Sequence, residues 1–552
     1  MTRILRDIVN RCMLAFVLML CACGAEPPET AATRASTSVS RDGGTLYRRL
    51  EADLATLNPI AANSTYDRYV ANYLFTPLIH FDRELRPAPA LATSWEISTD
   101  GRRYRFTLDQ RATFSDGTPV RASDVIFTLK KIADPKSGAV QIAGAFELLD
   151  LTNTRALDAH TIEIAFRERL ATQLTSFHDV FVLPEHVYAK GSFRDDFHAR
   201  AIGSGPYRLA RREIGKEIRL ERRSDYWAAP PHIQTVVFKV VNDHTTAFNA
   251  LTIGELDETR ITSDRWLRDR NDPALSRAIE FRAIYSLNYN VIAWNNRRPV
   301  LRDAQVRRAL AMCVPLDAII RDLFGGTARP VTGPFTPDEW ACNPAVKPVS
   351  YNPAEARRIL ASRGFGDHDG DGILDRSGKP LAFDFVVIAG NAATSQLGQM
   401  LQAEWKKIGA DVQIVTLDGA AAIQRIMAGN YDAAYLGWDL DPDPDPYALF
   451  HSSQVPPRGQ NIVQYANADA DQLIERARRE LHQPTRKVLY WRLHEILAAD
   501  QPYTWTVQVT SKWAMSKRLR GVETSRTTGF FSWYPGELGW WLATDAPARV
   551  RR

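Results

Sequence analysis

The sequence predicts an α/β protein with open lobes, in which helices cross over a sheet. Residues 104–108 alternate between apolar and polar side chains, as a half-buried strand does. Around residue 409 a helix, a glycine stop and a strand follow one another. Residues 396–408 predict the helix, Gly409 ends it and 411–415 predict the strand. A helix followed at once by an apolar strand is typical of crossover connections.

Further elements support the same class. Asn352 is placed to cap a helix that has Pro353 at its first position, an arrangement favoured at helix starts. The other predicted strands are 162–166, 218–221 and 235–241, and the other predicted helices are 469–480 and 486–499. The chain has 552 residues, 45% of them hydrophobic, which provides enough core for more than one lobe.

The first 22 residues have the pattern of an export signal. Arg3, Arg6 and Arg11 precede an apolar run at 13–20 that is too short for a membrane span, which needs about 20 residues. The run ends in Leu20-Cys21-Ala22-Cys23, which resembles a bacterial lipobox. That resemblance implies cleavage before Cys23, acylation of Cys23 and a membrane anchor, and the alternative is a plain secretory signal.

Residues 23–42 predict a flexible tether, since they are rich in Ala, Ser, Thr, Pro and Glu. A flexible chain of about 20 residues spans roughly 25 Å, enough to hold a globular body just off a membrane. Removing residues 1–22 takes away three arginines and one aspartate, so the net charge of +5 becomes +3. Basic and acidic residues are interspersed, which argues against a nucleic-acid partner.

Cysteines are scarce. Of five in the chain, cleavage leaves three, and acylation of Cys23 leaves Cys313 and Cys342 as thiols. In an oxidising compartment these two could form a disulfide, worth about 3 to 4 kcal/mol for a loop of this size. The alternative is two unpaired buried cysteines.

Residues 91–132 carry the most distinctive motif, LATSWEISTDGRRYRFTLDQRATFSDGTPVRASDVIFTLKKI. It combines a strand with a tryptophan, an Asp-Gly turn at Asp100-Gly101, a second strand and a helix expected to begin at Val125, capped by Ser123 or Asp124. This segment resembles the extracytoplasmic solute-binding proteins of the peptide, nickel and opine class. The resemblance continues through 57–59, 203–207, 221–227, 254–257, 306–310, 351–353 and 431–438.

The resemblance implies a two-lobed Venus-flytrap architecture with an extra domain inserted in the first lobe. By this analogy residues 43–78, 201–287 and 504–546 form the first lobe, with 79–200 as its insert. Residues 288–503 form the second lobe. The connections between lobes are expected near 285–294 and 502–513, where they could act as hinges.

The best candidate for ligand contact is the acidic, proline-spaced segment 437–447. In the family's peptide binders an aspartate three residues after the Gly-Trp pair meets the ligand's α-ammonium. The Gly-Trp pair here is Gly437-Trp438, so the resemblance gives that role to Asp441. A desolvated carboxylate makes a strong charge-assisted bond to an ammonium. The alternative is a solvated turn in which none of the four aspartates is distinguished.

One position departs from the family pattern, and other candidates are weaker. Some oligopeptide binders have an arginine two residues before the Gly-Trp pair, and Tyr435 stands there, which puts carboxylate recognition at that position in doubt. Trp438, Tyr503 and Trp505 are candidates for the apolar wall, although aromatic residues on strands are commonly core. Ser64 and Tyr66 lie where related proteins contact ligand.

Residues 367–375 resemble the first nine positions of a calcium-binding loop. Asp367, Asp369, Asp371 and Asp375 supply oxygens at positions 1, 3, 5 and 9. The twelfth position is Gly378 instead of the bidentate glutamate. We therefore expect a weak calcium site or a metal-free turn, and no other cofactor.

Enzyme motifs are absent from the sequence: there is no G-x-S-x-G, H-E-x-x-H, P-loop or dinucleotide fingerprint. We therefore expect a monomeric, periplasmic binding protein, not an enzyme, that hands a small ligand to the permease of an ABC importer. A peptide is the expected ligand. The alternatives are a sensor or chaperone of the same fold, or a nickel complex, opine, haem or sugar as ligand.

Overall fold

A computed structural model describes residues 41–62, 64–190, 197, 201–525 and 533–544. The predicted signal peptide, Cys23 and all but the end of the tether lie outside the described residues. Among the described helices, none has both the length and the apolar character needed to cross a membrane.

Within the described residues, four larger sheets and ten helices of seven or more residues make up the framework. Their strands are β1 (Thr45–Leu50), β2 (Ala92–Ile97), β3 (Arg103–Leu108), β4 (Arg155–Ala156), β5 (Thr161–Ala165), β6 (Tyr207–Glu213), β7 (Glu217–Arg222), β8 (Thr235–Val240), β9 (Glu258–Arg260), β10 (Ile279–Tyr285), β11 (Asn288–Trp294), β12 (Ala382–Ile388), β13 (Asp411–Leu417), β14 (Ala433–Asp439), β15 (Tyr503–Trp505) and β16 (Thr510–Ser516). Their helices are α1 (Thr65–Leu74), α2 (Ala122–Ala133), α3 (His244–Thr252), α4 (Ser263–Asp269), α5 (Ala304–Ala311), α6 (Pro353–Ser362), α7 (Ala392–Lys406), α8 (Gly419–Met427), α9 (Ala468–Arg479) and α10 (Gln483–Asp500).

Three sheets belong to the first lobe and its insert. One has the order β1-β8-β7-β6, with β1 parallel to β8, and a second has the order β9-β16-β10. The insert carries the antiparallel sheet β2-β3-β5-β4. Leu46 of β1, Tyr73 of α1 and Phe106 of β3 belong to a single buried apolar cluster, so the insert shares its core with the first lobe.

The second lobe is a five-stranded sheet with the order β13-β12-β14-β11-β15. Side chains alternate across it, because Ile292 and Trp294 enter one apolar cluster while Val291 and Ala293 enter another. Helices α5, α6 and α7 pack against the first face, and α8, α9 and α10 pack against the second. A sheet covered on both faces is the expected form of an open α/β lobe.

The chain crosses between the lobes twice, and the two crossings lie side by side. The first runs through 286–287, between β10 and β11, and the second through 506–509, between β15 and β16. The amide of Gln508 donates to the carbonyl of Ser286 at 2.6 Å. Thr504, which was predicted to begin the last segment of the first lobe, pairs with Ile292 in the second sheet. The predicted boundary between residues 503 and 504 would therefore split β15. The return crossing begins two residues later, at residue 506.

Most predicted elements are found, with shifted ends. Helix α7 begins at Ala392, four residues before the predicted start, because Asn391 caps it by accepting from the N–H of Ala393. Helix α2 begins at Ala122, not Val125. The reason is that Asp124 acts from inside the first turn, where its carboxylate accepts from the N–H of Arg121.

The expected disulfide is not formed, because Cys313 and Cys342 are both free. Cys313 is fully buried in the cluster on one face of the second sheet, whereas Cys342 packs against the cluster on the other face. Burial raises the pKa of Cys313 to about 12 and that of Cys342 to about 11, so both remain protonated at neutral pH. The alternative of two unpaired thiols is the one that the structure has.

A buried ion cluster ties the C-terminal segment to the first lobe. Arg48, with 1% of its side chain exposed, contacts the carboxylates of Glu258 and Glu537. Its guanidinium also donates to the hydroxyl of Tyr73 at 3.1 Å. Because burial penalises an isolated charge heavily, each of these groups depends on the others for its place in the core.

Replacing Arg48 with Met strands two buried glutamates. We expect Arg48→Met to lower the free energy of unfolding by about 3 to 5 kcal/mol. Burial already raises the pKa of Glu537 to about 7, and without the cation it rises further. Stability from such an acid is lost as pH rises, so the deficit should be larger at pH 8 than at pH 5. Urea unfolding at both pH values measures it, with the exposed Arg86→Ala as control.

Candidate ligand-binding site

The loop that carries the candidate aspartates leaves the second sheet at the lobe crossing. Strand β14 ends at Asp439, which pairs with Asn288 at the start of β11. The next N–H, that of Leu440, donates to the carbonyl of Leu287 at 2.8 Å. Residues 440–446 therefore begin where the chain passes from one lobe to the other.

Three bonds fix the outer part of this loop. Arg486 donates to Asp443 at 2.6 Å, and Arg478 donates to Asp445 at 2.8 Å. The hydroxyl of Tyr490 donates to the carbonyl of Pro444 at 2.7 Å. Two of the four aspartates are thereby bonded to arginines of α9 and α10. The sequence of the loop does not predict these bonds, because the arginines belong to other segments.

Asp441 is different from these two. No hydrogen bond or ion pair to its carboxylate is found among the described residues, and its side chain is exposed. Burial by the surrounding protein nevertheless raises its pKa to about 6, with Asp179 the next largest cause and Arg68 acting in the opposite direction. A carboxylate that water reaches but protein surrounds has lost part of its hydration without gaining a partner.

Besides Asp443 and Asp445 of its own loop, groups from the first lobe and its insert act on Asp441. Arg68 lies on α1 and donates to Asp179 of the insert at 2.8 Å. Asp439 has its pKa raised by burial and lowered by Arg260, an exposed arginine at the end of β9. The sequence does not predict Arg68, Asp179 and Arg260 as site residues, because the packing of other segments brings each of them near the loop. Asp439 belongs to the predicted segment 437–447 itself.

Of the two predicted ligand contacts in the first lobe, Ser64 caps a helix and Tyr66 is partly exposed. Ser64 caps α1 by accepting from the N–H of Asp67 at 3.1 Å, and Asp67 accepts from Ser64 N–H in return. The hydroxyl of Ser64 is therefore occupied by the helix. Tyr66 is partly exposed on the same helix, and its pKa is raised to about 12 by burial and by Glu51.

The aromatic candidates do not form one wall. Tyr503 is fully buried and Trp505 is 5% exposed, and both rings pack with Phe450 in the second-lobe core. They are core residues, which is the common role of aromatic side chains on strands. Trp438 is partly exposed, and its neighbour Gly437 is exposed. Trp438 is therefore the accessible one of the three aromatic candidates. Tyr435 is 5% exposed and also lies in the core.

The acidic turn gathers three of its four predicted oxygen donors. Carboxylate oxygens of Asp367, Asp369 and Asp371 lie within 4.8 Å of one another. Asp375 is not part of that group, because its carboxylate bonds to the Nδ1 of His368 at 2.8 Å. The two carboxylate oxygens of Asp367 accept from the backbone N–H groups of Gly370 and Gly372. These bonds stabilise the turn without an ion. Calcium binding here stays a prediction.

Removing Asp443 isolates a buried arginine. Arg486 is 4% exposed, and we expect Asp443→Ala to lower the free energy of unfolding by about 3 kcal/mol because its charge loses its carboxylate partner. The matched control is Arg492→Ala on the same helix, which breaks an exposed pair with Glu495 and should cost less than about 1 kcal/mol. Equal losses in chemical denaturation would show that the Asp443 pair does not hold the loop.

Comparison with known proteins gives a consistent result. An oligopeptide-binding protein of Bacillus subtilis is 25% identical over 540 residues, which cover 96% of this chain and 97% of its own. The solved structure of an oligopeptide-binding protein of Bacillus subtilis with a nonapeptide matches with a TM-score of 0.74 at 25% identity, over 91% of this chain and all of that one. A dipeptide-binding protein of Pseudomonas aeruginosa is 27% identical over 82% of this chain and 87% of its own.

Other solved structures share the fold. A Campylobacter jejuni protein in complex with nickel and L-histidine has a TM-score of 0.76 at 24% identity, over 90% of this chain and 99% of that one. These neighbours are two-lobed binding proteins, which confirms the predicted fold class. Residues 86–459 match the family model described as "Bacterial extracellular solute-binding proteins, family 5 Middle". That match spans most of the chain, which therefore belongs to this family.

Proposed function

We propose that this chain captures a short peptide between its two lobes and delivers it to the membrane permease of an ABC importer. The observation that carries the proposal is the exposure of the Asp441 carboxylate at the lobe crossing. This carboxylate has no partner among the described residues, and it stands on a loop that begins at the lobe crossing. A free peptide presents an α-ammonium that such a carboxylate binds well.

A cationic ligand compensates Asp441 for the hydration that it has lost. Asp441 has already lost part of its hydration to the surrounding protein, as its raised pKa indicates. An ammonium that approaches it replaces the missing hydration with a charge-assisted hydrogen bond. A ligand without a cation leaves the carboxylate uncompensated, so the site discriminates by penalty as well as by attraction.

The rigidity of the loop supports the same role. Its outer part is held by Asp443 to Arg486 and by Asp445 to Arg478, so the loop is ordered before any ligand arrives. A preordered loop loses little conformational entropy on binding, and this favours affinity. Relatives described as binding oligopeptides and dipeptides make a peptide the first ligand to test.

Lobe closure is the proposed mechanism. The crossings at 286–287 and 506–509 are short and adjacent, which suits a hinge about one axis. A ligand that contacts Asp441 on one lobe and the region of Tyr66 and Arg68 on the other favours the closed form by its differential affinity. No covalent step is involved, and the ligand leaves unaltered.

The cellular setting is proposed on sequence grounds. Acylation of Cys23 would hold a monomeric chain at a membrane face in the periplasm, within reach of a permease. A sensor or chaperone of the same fold remains the alternative function, and a nickel complex, opine, haem or sugar the alternative ligand. Mass spectrometry of ligand that co-purifies with the chain separates the ligand classes.

Neutralising Asp441 tests the ammonium contact. We expect Asp441→Asn to weaken binding of a free peptide by about 1.5 to 3 kcal/mol in calorimetry, which is a loss of roughly 10- to 150-fold. Binding of the same peptide with an acetylated amino terminus should be weak in both proteins. Asp439→Asn is the matched control, because it removes a neighbouring exposed carboxylate, and its effect should stay below about threefold. Unchanged affinity in Asp441→Asn would reject the assignment.

The pH dependence of binding gives a second test. The pKa of Asp441 is about 6 in the free protein, so the carboxylate is ionised above that pH and protonated below it. The ligand ammonium loses its proton only above about 7.7. Affinity should therefore fall as pH drops from 7 to 5, with proton release to the buffer near pH 6. In Asp441→Asn this dependence should vanish, and its persistence would assign the titration to another group.

A further inference from the structure

The insert makes a contact with the second lobe that does not involve the proposed peptide site. The backbone N–H of Ala171 in the insert donates to the carbonyl of Arg478 in α9 at 2.7 Å. Gly101, in the turn between β2 and β3, approaches Leu481 so closely that an added Cβ would lie 2.8 Å from its Cδ1 atom. The contact therefore joins the insert and the second lobe directly.

A solvent-open cavity of about 580 Å³ lies at this contact. Its lining residues come from two turns of the insert and from the last turn of α9. They are Asp100, Arg102, Arg167, Glu168, Arg169 and Arg479. The cavity is complete only when the insert and the second lobe are together, because Arg479 is the member that the second lobe supplies.

The charges around the cavity do not balance. Four arginines and two acidic residues line it, which leaves an excess of two positive charges. Asp100 is already engaged within its turn, where it accepts from the hydroxyl of Ser98 at 2.6 Å and from the N–H of Arg102 at 3.1 Å. Glu168 lies 3.6 Å from Arg479 and offers the one cross-lobe ion pair at the cavity.

The guanidinium of one arginine and the stem of a second have contacts within the insert. Arg167 donates to the backbone carbonyls of Glu147 and Leu149. The stem of Arg169 packs over Gly101, where an added Cβ would lie 3.2 Å from the Cβ atom of Arg169. Gly101 has a φ of +70°, so both its backbone conformation and this close approach favour glycine. Held guanidinium groups lose little entropy when they bind an oxyanion.

We propose that this cavity is an oxyanion site that takes a phosphate group and joins the insert to the second lobe. Planar guanidinium groups bind phosphate oxygens through paired N–H donors, and the lining contains four arginines. A phosphate here neutralises the excess positive charge that lobe closure brings together. Since both lobes contribute, the anion binds the closed arrangement more tightly than the open one.

The consequence is coupling between two ligands, and this part rests on the proposed peptide function. If peptide and phosphate both favour the closed form, each raises the affinity of the other by the same factor. A route for this coupling exists in Arg478, whose carbonyl accepts from Ala171 while its side chain holds Asp445 of the peptide loop.

The test is a titration of the mature chain with sodium phosphate, compared with sodium chloride at equal ionic strength. We expect saturable phosphate binding that chloride does not reproduce. Arg479→Ala and Arg169→Ala should each weaken it about five- to tenfold, because each removes a charged donor. The control Arg476→Ala lies on the same exposed helix end but outside the cavity and should change nothing. Glu168→Gln, which removes a competing carboxylate, should strengthen phosphate binding.

The outcomes separate the two proposals and the two sources of phosphate. Absence of saturation, or equal effects of chloride and of Arg476→Ala, would overturn the oxyanion site whatever the peptide result. Saturable phosphate binding without peptide binding would leave the site standing and reject the peptide function. Binding to vesicles of anionic phospholipid but not to free phosphate would assign the group to a lipid headgroup, while the reverse would assign it to the free anion.

Discussion

The hydrogen bond from Gln508 to the carbonyl of Ser286 joins the two segments through which the chain enters and leaves the second lobe. This bond holds the two crossings next to each other, and their position sets where the acidic loop lies relative to the first lobe. Strand β11 starts directly after one crossing and β15 ends directly before the other. The acidic loop therefore departs from the end of the second sheet at which the chain crosses to the first lobe.

That position explains how four aspartates in one short segment come to differ. Asp443 and Asp445 point back toward α9 and α10 and find arginines there. Asp439 and Asp441 lie nearer the crossing, where the opposite lobe supplies Arg260, Arg68 and Asp179. The same residue type thus serves as an anchor at one end of the loop and as an exposed charge at the other. The difference is set by which lobe each carboxylate faces.

The predicted insert, residues 79–200, contributes to both regions of interest. Its apolar side chains are continuous with the first-lobe core, so it moves with that lobe. Through Asp179 it contributes to the surroundings of Asp441, and through Ala171 and Glu168 it reaches the second lobe. A domain placed in this way affects how the two lobes meet without having to touch a peptide.

Local signals predicted the framework well because they act over a few residues. The caps at Asn352 and the stop at Gly409 are encoded where they act, and the structure has both. Errors arose where partners lie far apart along the chain. Thr504 was assigned to the wrong lobe because its strand partner, Ile292, is 212 positions away, and Tyr503 and Trp505 were candidate contacts until packing placed them in the core.

The sequence by itself determined the class of the fold, the family and the identity of the acidic loop, since these depend on periodicity, turn residues and the order of motifs. Only the tertiary structure decided which aspartates of the loop are held by arginines, that the two cysteines do not pair, and that arginines from the insert and α9 meet around one cavity. Each of these depends on distances between segments remote in the chain, and such distances follow from packing, which no local pattern encodes.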